Sequence, residues 1–147
     1  GRIINISSIA GVVAVPYQGF YSASKFAIEG YSEALAVEVR RFGIRVCLVE
    51  PGDFRTGFTS SRKMSEATLA DPDYSESFRR TMAGVEKDET RGCDPAKVGK
   101  VLCRLVSCRR PGFRTLTGSF LQTAFARASR ILPGRLTQLL LTWFYSV

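Results

Sequence analysis

The sequence predicts an α/β fold, and three observations carry that prediction. Two short apolar runs, "RIINIS" (2–7) and "IRVCLVEPG" (44–52), have the length and β-branched content of buried strands. From Tyr21 to about Phe42, Ile28, Tyr31, Leu35 and Val39 recur at spacings of three and four, as in an amphipathic helix. Strand, helix and strand in that order make a βαβ unit, so the two strands run parallel. The 147 residues, 45% hydrophobic and 23% charged, suit a single domain with one core.

Each element has a local reason. The first run ends at Ser7-Ser8, and "IAGVVAVPYQGF" (9–20) is a loop punctuated by Gly11, Pro16 and Gly19. Gly43 stops the first helix, and Pro51-Gly52 turns the chain out of the second strand. Residues 53–93 are polar and mixed, with a helix in "YSESFRRTMAGVEK" (74–87); an excursion of that length suits a lid or substrate loop. "DPAKVGKVLCRLVSC" (94–108) is a helix with Asp94 as N-cap and Pro95 in the first turn. Its Val98, Val101, Leu102, Leu105 and Val106 lie to one side. "FRTLTGS" (113–119) is a third strand. The tail, 120–147, interleaves Arg with Leu, Phe, Trp and Tyr, and Pro133-Gly134 splits it into two stretches. The chain has no internal repeat and no low-complexity tract.

Composition narrows the function classes. The net charge of +8 is uneven: 11 Lys/Arg against 12 Asp/Glu up to Thr90, then 10 against 1 from Arg91 on. That basic excess fits a solvated face, an anionic partner or a membrane surface. No recognition motif accompanies it, so nucleic acid is not an expected partner. There is no His, which removes Ser-His-Asp and Cys-His schemes from this chain. The four cysteines, Cys47, Cys93, Cys103 and Cys108, form no C-x-x-C pair, so no metal site is expected, and Cys47 reads as a small core residue. No apolar run reaches about 18 residues and no secretory leader is visible, which points to a reducing, cytoplasmic setting, with membrane association open through the tail.

Three polar residues suggest chemistry. Tyr21 and Lys25 are four apart on the predicted helix and so share a face. A free tyrosine, with a pKa of about 10, is a poor base at neutral pH, but a neighbouring ammonium favours its phenolate. Such a pair can serve as a general acid–base. Ser8 ends the first strand, where open α/β sheets bind ligands, and its hydroxyl can hold the same substrate oxygen. The set suits alcohol–carbonyl interconversion, and since none of these side chains takes a hydride, a nicotinamide cofactor must. Taken alone, Tyr-x-x-x-Lys and a strand-ending Ser-Ser are both common structural patterns.

The combination is not. "NISSIAG", thirteen residues from Ser8 to Tyr21, "YSASK" and then "EPGDFRT" together resemble the C-terminal half of the short-chain dehydrogenase/reductase family. The likeness is firm over 1–56 and looser to "FRTLTGS". It implies the C-terminal part of a Rossmann-like doubly wound parallel sheet, about three strands with helices. It implies Tyr21 as catalytic acid–base, Lys25 on the nicotinamide ribose, and Ser8 on the substrate oxygen. Pro51, Gly52, Phe54 and Thr56 would line the nicotinamide of NAD or NADP. In pattern, hydroxysteroid- and retinol-type dehydrogenases are close. With Val12, Val13, Val15, Tyr17 and Phe20 in the loop after Ser8, the resemblance suggests a lipophilic alcohol or ketone as substrate, Tyr17 among its contacts. Family members commonly form homo-oligomers through the helix that carries Tyr21.

The sequence also departs from the family. A complete member opens with a strand and a Gly-rich turn that holds the cofactor pyrophosphate. No Gly-x-x-x-Gly-x-Gly occurs in these 147 residues. The expectation is an incomplete oxidoreductase, with an exposed edge at the first strand and little activity alone. The alternative is a non-enzymatic interaction fragment that keeps the scaffold without the phosphate site.

Overall fold

The computed structural model describes residues 1–145. Three strands, β1 (Arg2–Ile6), β2 (Arg45–Pro51) and β3 (Arg114–Thr117), form one parallel sheet in the order β1-β2-β3. Six helices surround it: α1 (Gly19–Glu38), α2 (Glu66–Ala70), α3 (Ser75–Thr90), α4 (Ala96–Ser107), α5 (Phe120–Ser129) and α6 (Gly134–Tyr145). The predicted βαβ unit is β1-α1-β2, and Ile4 pairs with Cys47 in its register.

β2 is the centre of the sheet, and Val46 to Glu50 are all buried. Cys47, Val49 and Leu105 make one core cluster, on which Ile4, Val98, Val101 and Leu102 pack from β1 and α4. Burying side chains of this kind stabilises by about 1.5–3 kcal/mol each. Burial also pushes the Cys47 thiol above its ordinary pKa, as expected of a core cysteine. β1 is an edge strand, which matches the expected exposed edge but not the reading of the run as a buried strand. Its one neighbour leaves it half-covered, and Ile6 is 44% exposed.

Capping follows the local sequence. α4 starts one residue later than expected, with Pro95 in place of Asp94 at the N-cap position, and Asp94 Oδ1 accepts the Ala96 N–H at 2.8 Å from just ahead of it. Gly43 closes the turn after α1 with φ 68°, a conformation that suits glycine. The Val106 side chain, placed on the packed side of α4 from the sequence, points to solvent near the helix end.

The buried face of α1 also differs from the apolar stripe. Ile28, Leu35 and Val39 are half-buried, but Tyr31 is 61% exposed. Ser22, Glu29 and Ser32 are the buried residues. Hydrogen bonds explain the choice. Asn5 Nδ2 of β1 donates to Ser32 Oγ at 2.8 Å, and Arg114 Nε of β3 donates to Glu29 Oε2 at 2.9 Å. Those pairs let polar residues face the sheet. Phe26, Tyr31 and Val37 are left on the outer face.

A buried ionic hub ties the C-terminal helices to the sheet. Glu50, 0% exposed at the end of β2, meets Arg130 at 2.5 Å and Arg114 at 3.6 Å. Burial, with the nearby Glu29 charge, raises the Glu50 carboxyl above its ordinary pKa, despite the two guanidinium groups.

Candidate active site

The site lies where the chain leaves the carboxyl ends of β1 and β2, the side on which open α/β sheets take ligands. Ser8 follows β1 and caps the short turn Ile9–Gly11. Its Oγ accepts the Ala10 N–H at 3.1 Å and donates to the Pro51 carbonyl at 3.3 Å. One hydroxyl thereby bridges the ends of the two strands. Gly11 allows this turn to pack on α1. A Cβ there would come within 2.6 Å of Ser7 Oγ and 3.0 Å of the Lys25 carbonyl.

Tyr21 and Lys25 stand one turn apart on α1 and face the same cleft. Lys25 Nζ donates to the Ile6 carbonyl at 3.2 Å and lies 5.6 Å from the Tyr21 ring centre. The Tyr21 ring also packs on Phe58 at 5.5 Å, which fixes the phenol against the 53–93 segment. The cleft has a volume of ≈ 1010 Å³. Ser8, Tyr21, Lys25, Pro51, Gly52, Phe54 and Thr56, the residues singled out from the sequence, all line it.

Other expected residues go elsewhere. Tyr17 is absent from the cleft lining, as are Val12 and Phe20, while Val13 and Val15 do line it. Tyr17 takes φ 60° and turns toward α3, packing edge-on against Tyr74 at 5.0 Å and Phe78 at 5.6 Å. Its hydroxyl donates to Ser77 Oγ at 2.7 Å. The aromatic packing and the hydrogen bond offset a backbone conformation that costs about 1–3 kcal/mol in a non-glycine residue. Phe20 is on the surface.

The structure adds residues that the sequence did not single out. Gln122 of α5 accepts the Asp53 N–H and donates to the Asp53 carboxylate, so its amide holds the turn after Gly52. A Cβ at Gly52 would come within 2.5 Å of Gln122 Oε1, so a larger residue there would displace the Gln122 amide. Burial raises the Asp53 carboxyl above its ordinary pKa. α3 supplies Val85 and Asp88 to the wall, and α6 supplies Leu140, Leu141 and Trp143. The end of α6 is held at Tyr145, which packs on the Phe78–Met82–Val85 cluster of α3. Burial and the Asp53 and Asp88 charges push the Tyr145 phenol up to about 12. Only the basic-apolar mix of the tail hinted at this wall, and nothing local distinguishes Gln122. The tail's last residues, Ser146 and Val147, lie outside the described set. Among the described residues no group of three or more His, Cys, Asp and Glu side chains is placed to hold a metal.

Residues 1–67 match the family model described as short chain dehydrogenase. A curated protein of Bacteroides thetaiotaomicron, 3-ketodihydrosphingosine reductase, is 54% identical over all 147 residues, which cover 55% of its length. Retinol dehydrogenase 8 of Bos taurus is 34% identical over 125 residues, 81% of this chain and 40% of that protein. A short-chain dehydrogenase structure from Streptomyces avermitilis superposes with TM-score 0.69 at 31% identity, over 89% of this chain and 46% of that one. One from Burkholderia phymatum in complex with NAD gives 0.67 at 25% identity, over 88% and 46%. The chain spans about half the length of these relatives.

Proposed function

The chain belongs to the short-chain dehydrogenase/reductase family, and from that premise we propose that it carries the catalytic half of an NAD(P)-dependent oxidoreductase acting on a lipophilic ketone or alcohol. One observation carries the reading: Ser8, Tyr21 and Lys25, far apart along 18 residues of chain, line a single cleft at the strand ends. The non-enzymatic alternative gives no reason for that convergence.

The family uses NAD or NADP, and the residues present fit the nicotinamide end of that cofactor. Lys25 offers an ammonium, Tyr21 a phenol and Thr56 a hydroxyl, around the open turn at Pro51-Gly52 and Phe54. The nicotinamide, when bound, supplies the hydride chemistry that no side chain here provides. The chain's own part is proton transfer and positioning. Tyr21 gives a proton to the carbonyl oxygen in reduction, or takes one from the alcohol in oxidation. Lys25, held by the Ile6 carbonyl, places positive charge beside that phenol. Ser8 donates to the same substrate oxygen, giving up its bond to the Pro51 carbonyl. Segment 53–93 acts as a lid, since Phe58 and Val85 face the cleft from it.

Substrate class follows from the walls. Val13, Val15, Phe125, Leu140, Leu141 and Trp143 make a hydrocarbon surface around the polar trio. The 54% identical relative is named for 3-ketodihydrosphingosine, and a long-chain ketone of that kind suits such a cleft. Phe26, Tyr31 and Val37 on the outer face of α1 offer a contact for a second subunit. Trp143, 80% exposed, and Ile131, with Arg127 and Arg135 nearby in sequence, offer a contact for an anionic membrane surface. No helix among the described residues is long and apolar enough to cross a membrane.

The test is consumption of reduced nicotinamide by the whole protein that contains this chain, with 3-ketodihydrosphingosine, a ketosteroid and retinal as substrates. Turnover of the long-chain ketone supports the reading. No turnover of any of the three, in the presence of bound cofactor, contradicts it.

A further inference from the structure

The α4–α5 pair has a second concavity, of ≈ 590 Å³, that shares no lining residue with the cleft. From α4 it takes Lys97, Lys100, Val101 and Arg104, a stripe at the helical spacings of three and four. α5 contributes its first turn at Phe120 and Thr123, and the end of β3 contributes Thr117 and Gly118.

Three features of this pocket lack an internal explanation. Its positive charge is uncompensated: among the described residues neither Lys100 nor Arg104 is in an ion pair. The one acid of the last 57 residues, Asp94, accepts the Ala96 N–H at the start of α4 and is spent there. Like charges four apart on a helix are unfavourable by about 0.2–0.5 kcal/mol, so the stripe is not there for the stability of α4. Lys97 Nζ donates to the Gly118 carbonyl at 2.5 Å, which holds one ammonium at the rim.

Thr117 is the second feature. It is 3% exposed and lines the pocket, and its hydroxyl has no hydrogen-bond partner among the described residues. Leaving such a group unpaired costs about 1–3 kcal/mol. The third is the start of α5. Ser119 Oγ accepts only the Gln122 N–H, so the preceding N–H groups of the first turn have no partner within the helix. They carry the positive end of the helix dipole.

We propose that this pocket is a phosphate site, taking a phosphate group either free or at the head of a lipid. A guanidinium fork, an ammonium and a hydroxyl around one cavity, with the first turn of α5 at its edge, match an anion with several oxygens better than a single carboxylate. The site is independent of the oxidoreductase reading. It adjoins the cleft through α4, whose Val98 and Gly99 line the cleft, and through α5, whose Gln122 holds Asp53.

The test is calorimetric titration of the intact protein with inorganic phosphate. Wild type should bind. The double variant Lys100→Ala/Arg104→Ala should bind at least tenfold more weakly, and Thr117→Val several-fold more weakly. Arg109→Ala/Arg110→Ala removes as much charge from outside the pocket and should bind as wild type does. Flotation with phosphatidylglycerol and phosphatidylcholine vesicles separates the sources. Flotation with the anionic vesicles that the Lys100/Arg104 variant loses marks a lipid headgroup. Phosphate binding without variant-sensitive flotation marks a free phosphate. No phosphate binding by wild type, or equal weakening by the two double variants, overturns the proposal. Lys100 and Arg104 are exposed, so the pocket double variant keeps the test decisive if Thr117→Val fails to fold.

Discussion

Lys25 Nζ lies 5.6 Å from the centre of the Tyr21 ring and is anchored to the Ile6 carbonyl at 3.2 Å. The ammonium is therefore positioned by the backbone of β1 as well as by its own helix. A substitution that keeps the charge but changes its reach should break this arrangement. In the whole protein, Lys25→Arg should lose much of the activity and Lys25→Met more, by roughly 10²-fold or above. A Lys25→Met enzyme with kcat within a few-fold of wild type would remove Lys25 from the chemistry.

The two serines after β1 should separate cleanly. Both serines line the cleft, but Ser8 Oγ bridges to Pro51, while the Ser7 hydroxyl is buried and reaches only the Lys25 carbonyl, at 3.5 Å. Ser8→Ala should lower kcat by about 10–100-fold and cost roughly 1 kcal/mol for the lost cap of the Ile9–Gly11 turn. Ser7→Ala should leave kcat within a few-fold of wild type. Equal losses in the two variants would mean that the hydroxyls are structural.

Glu50 gives a pH signature. Its folded pKa is raised, so the folded state holds the proton more tightly than the unfolded chain does. Stability on this account falls as pH rises from the ordinary carboxylate range through the folded pKa, and is recovered on acidification. Melting curves of wild type and Glu50→Gln should therefore converge or cross in favour of wild type as pH falls. Arg130→Ala leaves the buried carboxylate with Arg114 alone at 3.6 Å. It should cost about 2–3 kcal/mol at neutral pH, below the usual loss for a broken buried pair because Arg130 is partly solvated.

Tyr145 gives the opposite end of the pH scale. Its phenol is raised to about 12 in the folded chain. The unfolded tyrosine ionises near 10, so the stability that Tyr145 contributes is present below that pH and declines between about 10 and 12. Two pH units correspond to about 2.7 kcal/mol. Tyr145→Phe should lack that part of the alkaline loss. If alkaline denaturation of the two proteins coincides, Tyr145 does not hold α6 against α3.

What the sequence made legible was what depends on near neighbours. β2 is apolar because both faces are covered, and the run "VCLVE" already looks so. Asp94 and Gly43 act on residues within one helical turn, and their places at the helix ends were readable to within a residue. The buried face of α1 was not, because Ser32 and Glu29 are paid for by Asn5 and Arg114, partners 27 and 85 positions away. Tyr17 was assigned to the cleft because its loop follows Ser8, but a cluster of α3 aromatics outweighs that proximity. Gln122 has no local mark, since its role exists only once β3 brings α5 beside Gly52. The seven cleft residues, by contrast, are those the family resemblance implies, and the fold brings them to one cleft.

The most direct measurement is the rate of carbonyl reduction by Tyr21→Phe in the whole protein, at saturating reduced nicotinamide and long-chain ketone. Phenylalanine keeps the ring contact with Phe58 and removes only the proton donor. The account predicts a fall in kcat of roughly 10²–10⁴-fold, with cofactor binding largely retained. A variant that reduces the ketone within a few-fold of the wild-type rate would contradict Tyr21 as the acid–base of this site.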